Sequence, residues 1–238
     1  MKNVWTIVRK EFRSYFDSPV AYIYITFFLI LSSWLYLRGF FLVGQATMRG
    51  YFGILPWLLL FFVPAVTMRL WAEEKKLGTI ELLMTLPLRD HEVVLGKFLA
   101  SFFFLTVTLA LSFSVPVLVA LLGDPDAGAI WGGYIGAVLL GAAFLAIGLF
   151  VSSLTENQII AFIIGITLIF AFFIVSEEFV IYNAPRFLVP VLKYLGLGAH
   201  YDSIGRGVID TRDVIYYLSV IGFFLFLNVR SVESRKWK

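Results

Sequence analysis

The sequence predicts an all-α, polytopic membrane protein with six transmembrane helices, an amphipathic interfacial helix at the N-terminus and a short helix in a polar segment after the second span. Three observations predict it. Of 238 residues, 60% are apolar and only 15% charged, with a mean hydropathy of +0.89. A soluble domain of this size cannot hide that much apolar side chain, so lipid must be the solvent for most of it. Six apolar segments are long enough to cross ~30 Å of hydrocarbon at ~1.5 Å per residue. One compact polar island, WAEEKKLGTIELLMTLPLRDHEVVLGK from Trp71 to Lys97, interrupts them.

The first element is KNVWTIVRKEFRSYF, Lys2 to Phe16. On a helical wheel, Val4, Trp5, Val8, Phe12, Tyr15 and Phe16 share one arc. Lys2, Asn3, Thr6, Arg9, Lys10, Arg13 and Ser14 take the other, with Ile7 and Glu11 on the border. This reads as an interfacial helix, with Trp5 and Phe12 toward the acyl chains and Arg9 and Arg13 toward anionic headgroups. It serves either as an anchor alone or also as a strut packed on the polar island. Asp17-Ser18-Pro19 ends it and starts the first span.

The spans are placed at Val20–Leu37, Gly53–Leu70, Phe98–Leu122, Gly133–Ser152, Ile159–Ser176 and Val214–Val229, the last being the shortest. Pro56, Pro64 and Pro116 fall inside spans, where neighbours can satisfy the freed carbonyls. No Lys, Arg, Asp or Glu lies mid-span in this assignment, which argues against a proton relay or a fixed-charge ion path. Gly132, Gly133, Gly136, Ala137 and Gly141 give the fourth span a small-residue stripe for close packing.

Positive charge sets the direction. Thirteen of the nineteen Lys and Arg fall on one side: Lys2, Arg9, Lys10 and Arg13; Arg69, Lys75, Lys76, Arg89 and Lys97; and Arg230, Arg235, Lys236 and Lys238. Both termini and the polar island are therefore expected in the cytoplasm. The whole of 1–238 reads as one domain: an interfacial helix (1–19), spans one and two (20–70), the polar segment (71–97), spans three to five (98–176), an external region (177–213), and span six with its tail (214–238).

Within the island, Gly78 permits a chain reversal and Thr79 can cap a short helix, IELLMTL, that Pro87 stops. Asp90 can cap the next helical start. A short helix with an apolar stripe, bracketed by Gly and Pro, is shaped to fit a partner's groove, although a plain solvated loop has similar composition. The external region, with Pro185, Pro190, Gly196 and Gly198, is too apolar for an open loop and too broken for a span. Short helices dipping into the outer leaflet suit it. Glu177 and Glu178 are a candidate outer gate or simply headgroup-level acids. His200 and Asp202 are better explained by capping and packing than by catalysis.

The island EEKKLGTIELLMTLPLRDHEVVLGK resembles the cytoplasmic loop of type-2 ABC transporter permeases, which carries a G-T-x-E-x-L-x-x-x-P pattern. Gly78, Thr79, Glu81, Leu83 and Pro87 match in register. HYDSIGRGVIDTRDVIYYLSVIGFFLFL resembles the region before that family's last span. RKEFRSYFDSPVAYI and ESRKW resemble its gliding-motility-associated permease branch. The resemblance covers nearly the whole chain. It implies a membrane subunit, an exporter, in which Glu73, Glu74, Lys75, Gly78, Thr79, Ile80, Glu81, Leu83, Met84 and Pro87 form a coupling helix that docks on a cytoplasmic ABC ATPase subunit. The implied partners are that ATPase, a second permease copy or a paralogue, the bilayer, and as an option an extracytoplasmic auxiliary subunit. The implied location is a bacterial cytoplasmic (inner) membrane.

Several function classes are disfavoured. With no cysteine, disulfides and thiolate metal sites are excluded, and His91 and His200 are too far apart in sequence for a local His cluster. A net charge of +3 gives no nucleic-acid footprint. No G-x-x-x-x-G-K-[ST] loop is present, so no cofactor is expected on this chain, and ATP and Mg belong to partner ATPase subunits. The chain is read as non-enzymatic. An intramembrane lipid-modifying enzyme and a non-transporting scaffold are the alternatives.

Overall fold

Side-chain caps set four of the helix starts. The computed structural model describes residues 2–81, 88–205, 207 and 210–234. Its helices are α1 (Lys2–Phe16), α2 (Pro19–Val43), α3 (Arg49–Thr67), α4 (Arg69–Lys76), α5 (Asp90–Leu111), α6 (Ser114–Leu122), α7 (Ala127–Ser152), α8 (Gln158–Ile174), α9 (Glu178–Asn183), α10 (Val189–Leu195), α11 (Leu197–Gly205) and α12 (Thr211–Glu233). No strand occurs among the described residues. Ser18 caps α2 ahead of Pro19, Asp126 caps α7, Asn157 caps α8 and Asp210 caps α12, each side chain accepting a first-turn N–H. Gly44, at φ +64°, ends α2.

Five helical runs are long and apolar enough to cross a membrane: Pro19–Leu42, Arg49–Lys76, Asp90–Leu122, Ala127–Ser152 and Thr211–Glu233. The sequence predicts six. The missing one is Ile159–Ser176, which corresponds to α8, an apolar helix of 17 residues and so only ~25 Å long. It, not the last span, is the shortest. Capping by Asp210 and continuation to Glu233 give α12 23 residues.

Helix α7 forms the centre. Its small residues let neighbours come close: the ring of Phe52 lies against Gly133, Leu105 against Gly141 and Thr67 against Gly148. Helix α3 packs along one side of it, α12 along another, and α8 beside both α7 and α3. Helix α11 docks where α8 stops. Its Ala199 N–H donates to Ser176 Oγ at 3.1 Å, and its Tyr201 hydroxyl donates to the Phe52 carbonyl at 2.8 Å. It then runs past Gly136 and reaches Gly132 with the carbonyl of Ile204.

Two runs are broken where the backbone demands it. Pro116 lacks an N–H and crowds the preceding turn, and α5 gives way to α6 at Ser112–Phe113. Between α3 and α4 the break at Met68 is served by a side chain, described below. Helix α5 begins at Asp90, eight residues before the predicted span. Lys97 therefore lies inside a helix, and it is only 1% exposed. It sits near the start of the Asp90–Leu122 run, one residue before the predicted span, and not at its middle.

Candidate coupling site

The end of the bundle that carries α4 is organised around Lys97. Its ammonium donates to Glu74 Oε1 on α4 at 2.6 Å and to Glu11 Oε1 on α1 at 3.4 Å. It also sits 5.1 Å from the ring centre of Trp71, which is wholly buried. One cation from α5 thus ties α1 and α4 together. A buried charge needs such partners, because an unpaired ammonium out of water costs several kcal/mol.

Helix α1 lies on α5 through Ile7, Val8, Glu11 and Tyr15. Gly96 makes room for Ile7, whose Cγ2 lies 2.5 Å from where a Cβ would stand. Tyr15 is buried, hydrogen bonds to Ser101 Oγ at 3.0 Å and stacks on Phe104. Burial pushes its phenol up to about 12, against the lowering influence of Ser101 and of Arg69. The contact face is rotated from the sequence-predicted arc: Ile7 and Glu11, placed on its border, sit in the contact, while Trp5 stays 62% exposed. The partner for this face is protein bearing Lys97 and Ser101, not lipid, so a carboxylate and a phenol are tolerated in it. Arg9 and Arg13 are exposed, and Phe12 is half-buried against Phe16.

Helix α4 is held on its other flank by α7. Ser152 Oγ accepts the N–H groups of Trp71 and Ala72 at 3.1 and 3.2 Å and donates to the Met68 carbonyl at 3.0 Å. One hydroxyl thereby repairs the interrupted α3–α4 ladder. Lys75 is also buried, with its ammonium donating to the carbonyl of Ser153. Ser153 Oγ in turn donates to Ser231 on α12 at 2.8 Å.

Beyond this anchored stretch the chain turns outward. Gly78, at φ +71°, adopts the left-handed conformation that favours glycine. Thr79 is itself the first residue of a helical turn rather than its cap. Its hydroxyl donates back to the Glu74 carbonyl at 3.3 Å and closes α4. Residues 79–81 begin another helical turn. Glu73, Gly78, Thr79 and Glu81 are exposed, and Ile80 is half-buried against the core. Leu83, Met84 and Pro87 lie outside the described residues, as do Arg206, Arg235, Lys236 and Lys238. Helix α5 is preceded by Arg89, whose N–H donates to Glu92 Oε2 at 3.1 Å. Glu92 also accepts from Asn3 of α1. Asp90, expected to be the cap, is the first helical residue.

At the opposite end, α9, α10 and α11 are the short helices expected of the external region. His200 pairs with Asp213 at 2.7 Å rather than with Asp202, stacks on Tyr216 and turns its second nitrogen to the Tyr194 carbonyl at 3.0 Å. Glu177 precedes α9 and is half-buried; Glu178 is exposed. Partial burial, then the carboxylates of Asp202 and Glu178, hold the Glu177 carboxyl above its usual 4.5. A carboxyl with a raised folded-state pKa binds its proton more tightly when folded. Its ionised form therefore destabilises the fold, an effect absent below the unfolded pKa and complete above the folded one. Glu177→Gln is expected to raise the thermal midpoint in detergent at about pH 8 and leave it unchanged at about pH 4. A thermal scan at the two pH values checks this.

Residues 55–213, which include α4, α5, α7 and the short helices, match the family described as ABC-2 family transporter protein. The chain belongs to this family. No curated protein sequence gives a significant match. Membership makes the chain a multi-pass membrane protein and the permease component of an ABC transporter, a generally non-catalytic subunit of a family that works with ABC ATPases.

Three residues of this permease end escaped the sequence reading. Lys97 and Glu11 gave no signal beyond being charges at the borders of apolar arcs. Leu77 is 67% exposed beside Gly78, and an apolar residue next to a turn glycine is the cue that would have found it.

Proposed function

We propose that the chain is the membrane subunit of an ATP-driven exporter, and that Glu73 to Pro87 is the segment its ATPase subunit grips. In this reading ATP and Mg are bound only by the partner. Nucleotide closes two ATPase subunits, which displace the α4 tip, and the displacement passes into the spans. The observation that carries the reading is the division of the stretch from Glu73 to Glu81, the end of α4 and the turn after it, into inward and outward residues. Glu74 and Lys75 are turned inward and keyed to α1, α5 and α7, while Glu73, Leu77, Thr79 and Glu81 face out. A lever needs both a rigid root and an exposed tip. Helix α1 braces that root as well as lying at the interface.

Six crossings are proposed, with α8 as the short one completed in height by α11. This places both termini and the α4 tip in the cytoplasm, as the Lys and Arg distribution favours, and α9 to α11 outside, where Glu177 and Glu178 are a candidate outer gate. A bacterial inner membrane and a dimeric core with a second copy or a paralogue complete the proposal, with the gliding-motility-associated branch as its nearest type.

Copurification tests the docking surface. The unsubstituted chain is expected to bring down an ABC ATPase from its native membrane. Glu73→Lys combined with Glu81→Lys should cut the recovered ATPase by about tenfold or more, since like charge at an interface rim disfavours association. Unchanged recovery would remove the surface from consideration. Recovery of no ATPase by either form would favour the scaffold.

A further inference from the structure

We propose that the space between α1 and α4 is a binding site for one phospholipid with a primary-amine headgroup, held as a resident lipid rather than as cargo. The claim depends on the chain's membrane setting and not on ATPase docking, so it is tested on the isolated chain.

A cavity of about 360 Å³ opens between α1 and α4. Three cations (Lys10, Arg69 and Lys97) and three carboxylates (Glu11, Glu73 and Glu74) line it. Lys97 is used up by Glu11 and Glu74. Among the described residues Lys10 and Arg69 form no ion pair, and neither does Glu73. The second oxygen of Glu74 is buried with no hydrogen-bond partner. A buried carboxylate oxygen left in that state costs free energy, and Glu74 is one of the residues that line the cavity.

A second, apolar slot of about 60 Å³ continues from the first and shares Tyr15 and Arg69 with it. It runs between Val20, Tyr24, Ala65 and Met68. Val20 is 54% exposed on the flank of α2, whose outer face is apolar. Arg69, at the junction, lies 4.9 Å from the ring centre of Tyr15. The order of surfaces is therefore charged cavity, guanidinium, apolar slot, lipid-facing helix. That is the order of polarity along a phospholipid.

The charge pattern selects the headgroup. Balanced cations and carboxylates suit a zwitterion better than a net anion. The phosphate would lie against Arg69 and Lys10 in charge-assisted hydrogen bonds. A primary ammonium supplies N–H donors to the exposed Glu73 carboxylate, which forms no ion pair among the described residues, and a quaternary choline nitrogen has none. The first methylenes of an acyl chain would fill the slot.

Native mass spectrometry of the full chain, stripped of lipid and titrated in detergent, tests this. The probes are phosphatidylethanolamine, phosphatidylcholine and phosphatidylglycerol, with soluble phosphoethanolamine and inorganic phosphate as competitors. We expect one phosphatidylethanolamine retained at least about tenfold more tightly than either other lipid, and a loss of about tenfold or more in Arg69→Gln. Lys10→Gln, on an exposed position of α1 that leaves the fold undisturbed, should show the same direction. Neither soluble competitor should displace the lipid at equal concentration. Equal retention of phosphatidylcholine, full retention in Lys10→Gln, or displacement by phosphoethanolamine or phosphate would each overturn the proposal, the last by assigning the cavity to a soluble ligand.

Discussion

Lys97→Met is expected to destabilise the chain by about 3 kcal/mol or more and to free α1 from the bundle. Methionine fills the same volume but leaves the carboxylates of Glu11 and Glu74 facing each other without the ammonium that now lies 3.4 and 2.6 Å from them. Removing one member of a buried charge cluster is worse than never having had it, because the remaining charges stay desolvated. Denaturant unfolding in detergent measures the loss. Hydrogen exchange over residues 2–16 should show α1 opening. Adding Glu74→Gln to Lys97→Met should recover part of the stability, since it removes one orphaned charge. If the double variant is no better than the single one, the ion cluster is not what holds this end together.

The second large effect lies at the α3–α7 contact. A Cβ at Gly148 would stand 2.2 Å from Thr67 Oγ1. Thr67 is itself buried, and its hydroxyl is committed to the Val63 carbonyl. Alanine gains about 1 kcal/mol in helix propensity over glycine, but overpacking a filled core costs about 1–3 kcal/mol, so Gly148→Ala should be destabilising on balance. Gly148→Leu should cost about 3 kcal/mol or more and lower expression of folded protein. Gly39, on α2, has nothing within 4 Å of its Cβ position. Gly39→Ala should be neutral or stabilising by up to about 1 kcal/mol. Thermal midpoints of the three variants in one detergent separate packing from propensity.

These two sites mark what sequence could and could not reveal. The spans were legible because lipid imposes long apolar runs, and the small residues of α7 were legible as a packing stripe. The break at Asp17-Ser18-Pro19 followed from residue type and position, with Ser18 capping the helix that follows, whereas the cap expected at Asp90 falls one residue earlier, at Arg89. The shortness of α8 was not legible: Val175 and Ser176 read as a continuation, but the chain turns there to let Gly196 and Gly198 pack on Ser176. Nor was the role of Lys97. Its partners lie 86 and 23 residues away in sequence, and no local pattern announces a pairing that depends on how α1 lands on α5. Glu74 and Lys75 read as exposed docking charges because they sit in a run of four charged residues. The helical turn, which separates neighbours by ~100°, sends them inward and leaves Glu73 and Lys76 outside.

The sidedness of the α4 tip tests the account most directly. The chain has no cysteine, so a single Thr79→Cys gives an unambiguous thiol at an exposed position. Tyr182→Cys, on α9 where the native side chain is 90% exposed, reports the other face. In intact cells a membrane-impermeant maleimide should label position 182 and spare position 79, and permeabilisation should bring position 79 up to full labelling. Labelling of position 79 in intact cells would put the tip outside, out of reach of any cytoplasmic ATPase, and would contradict the account.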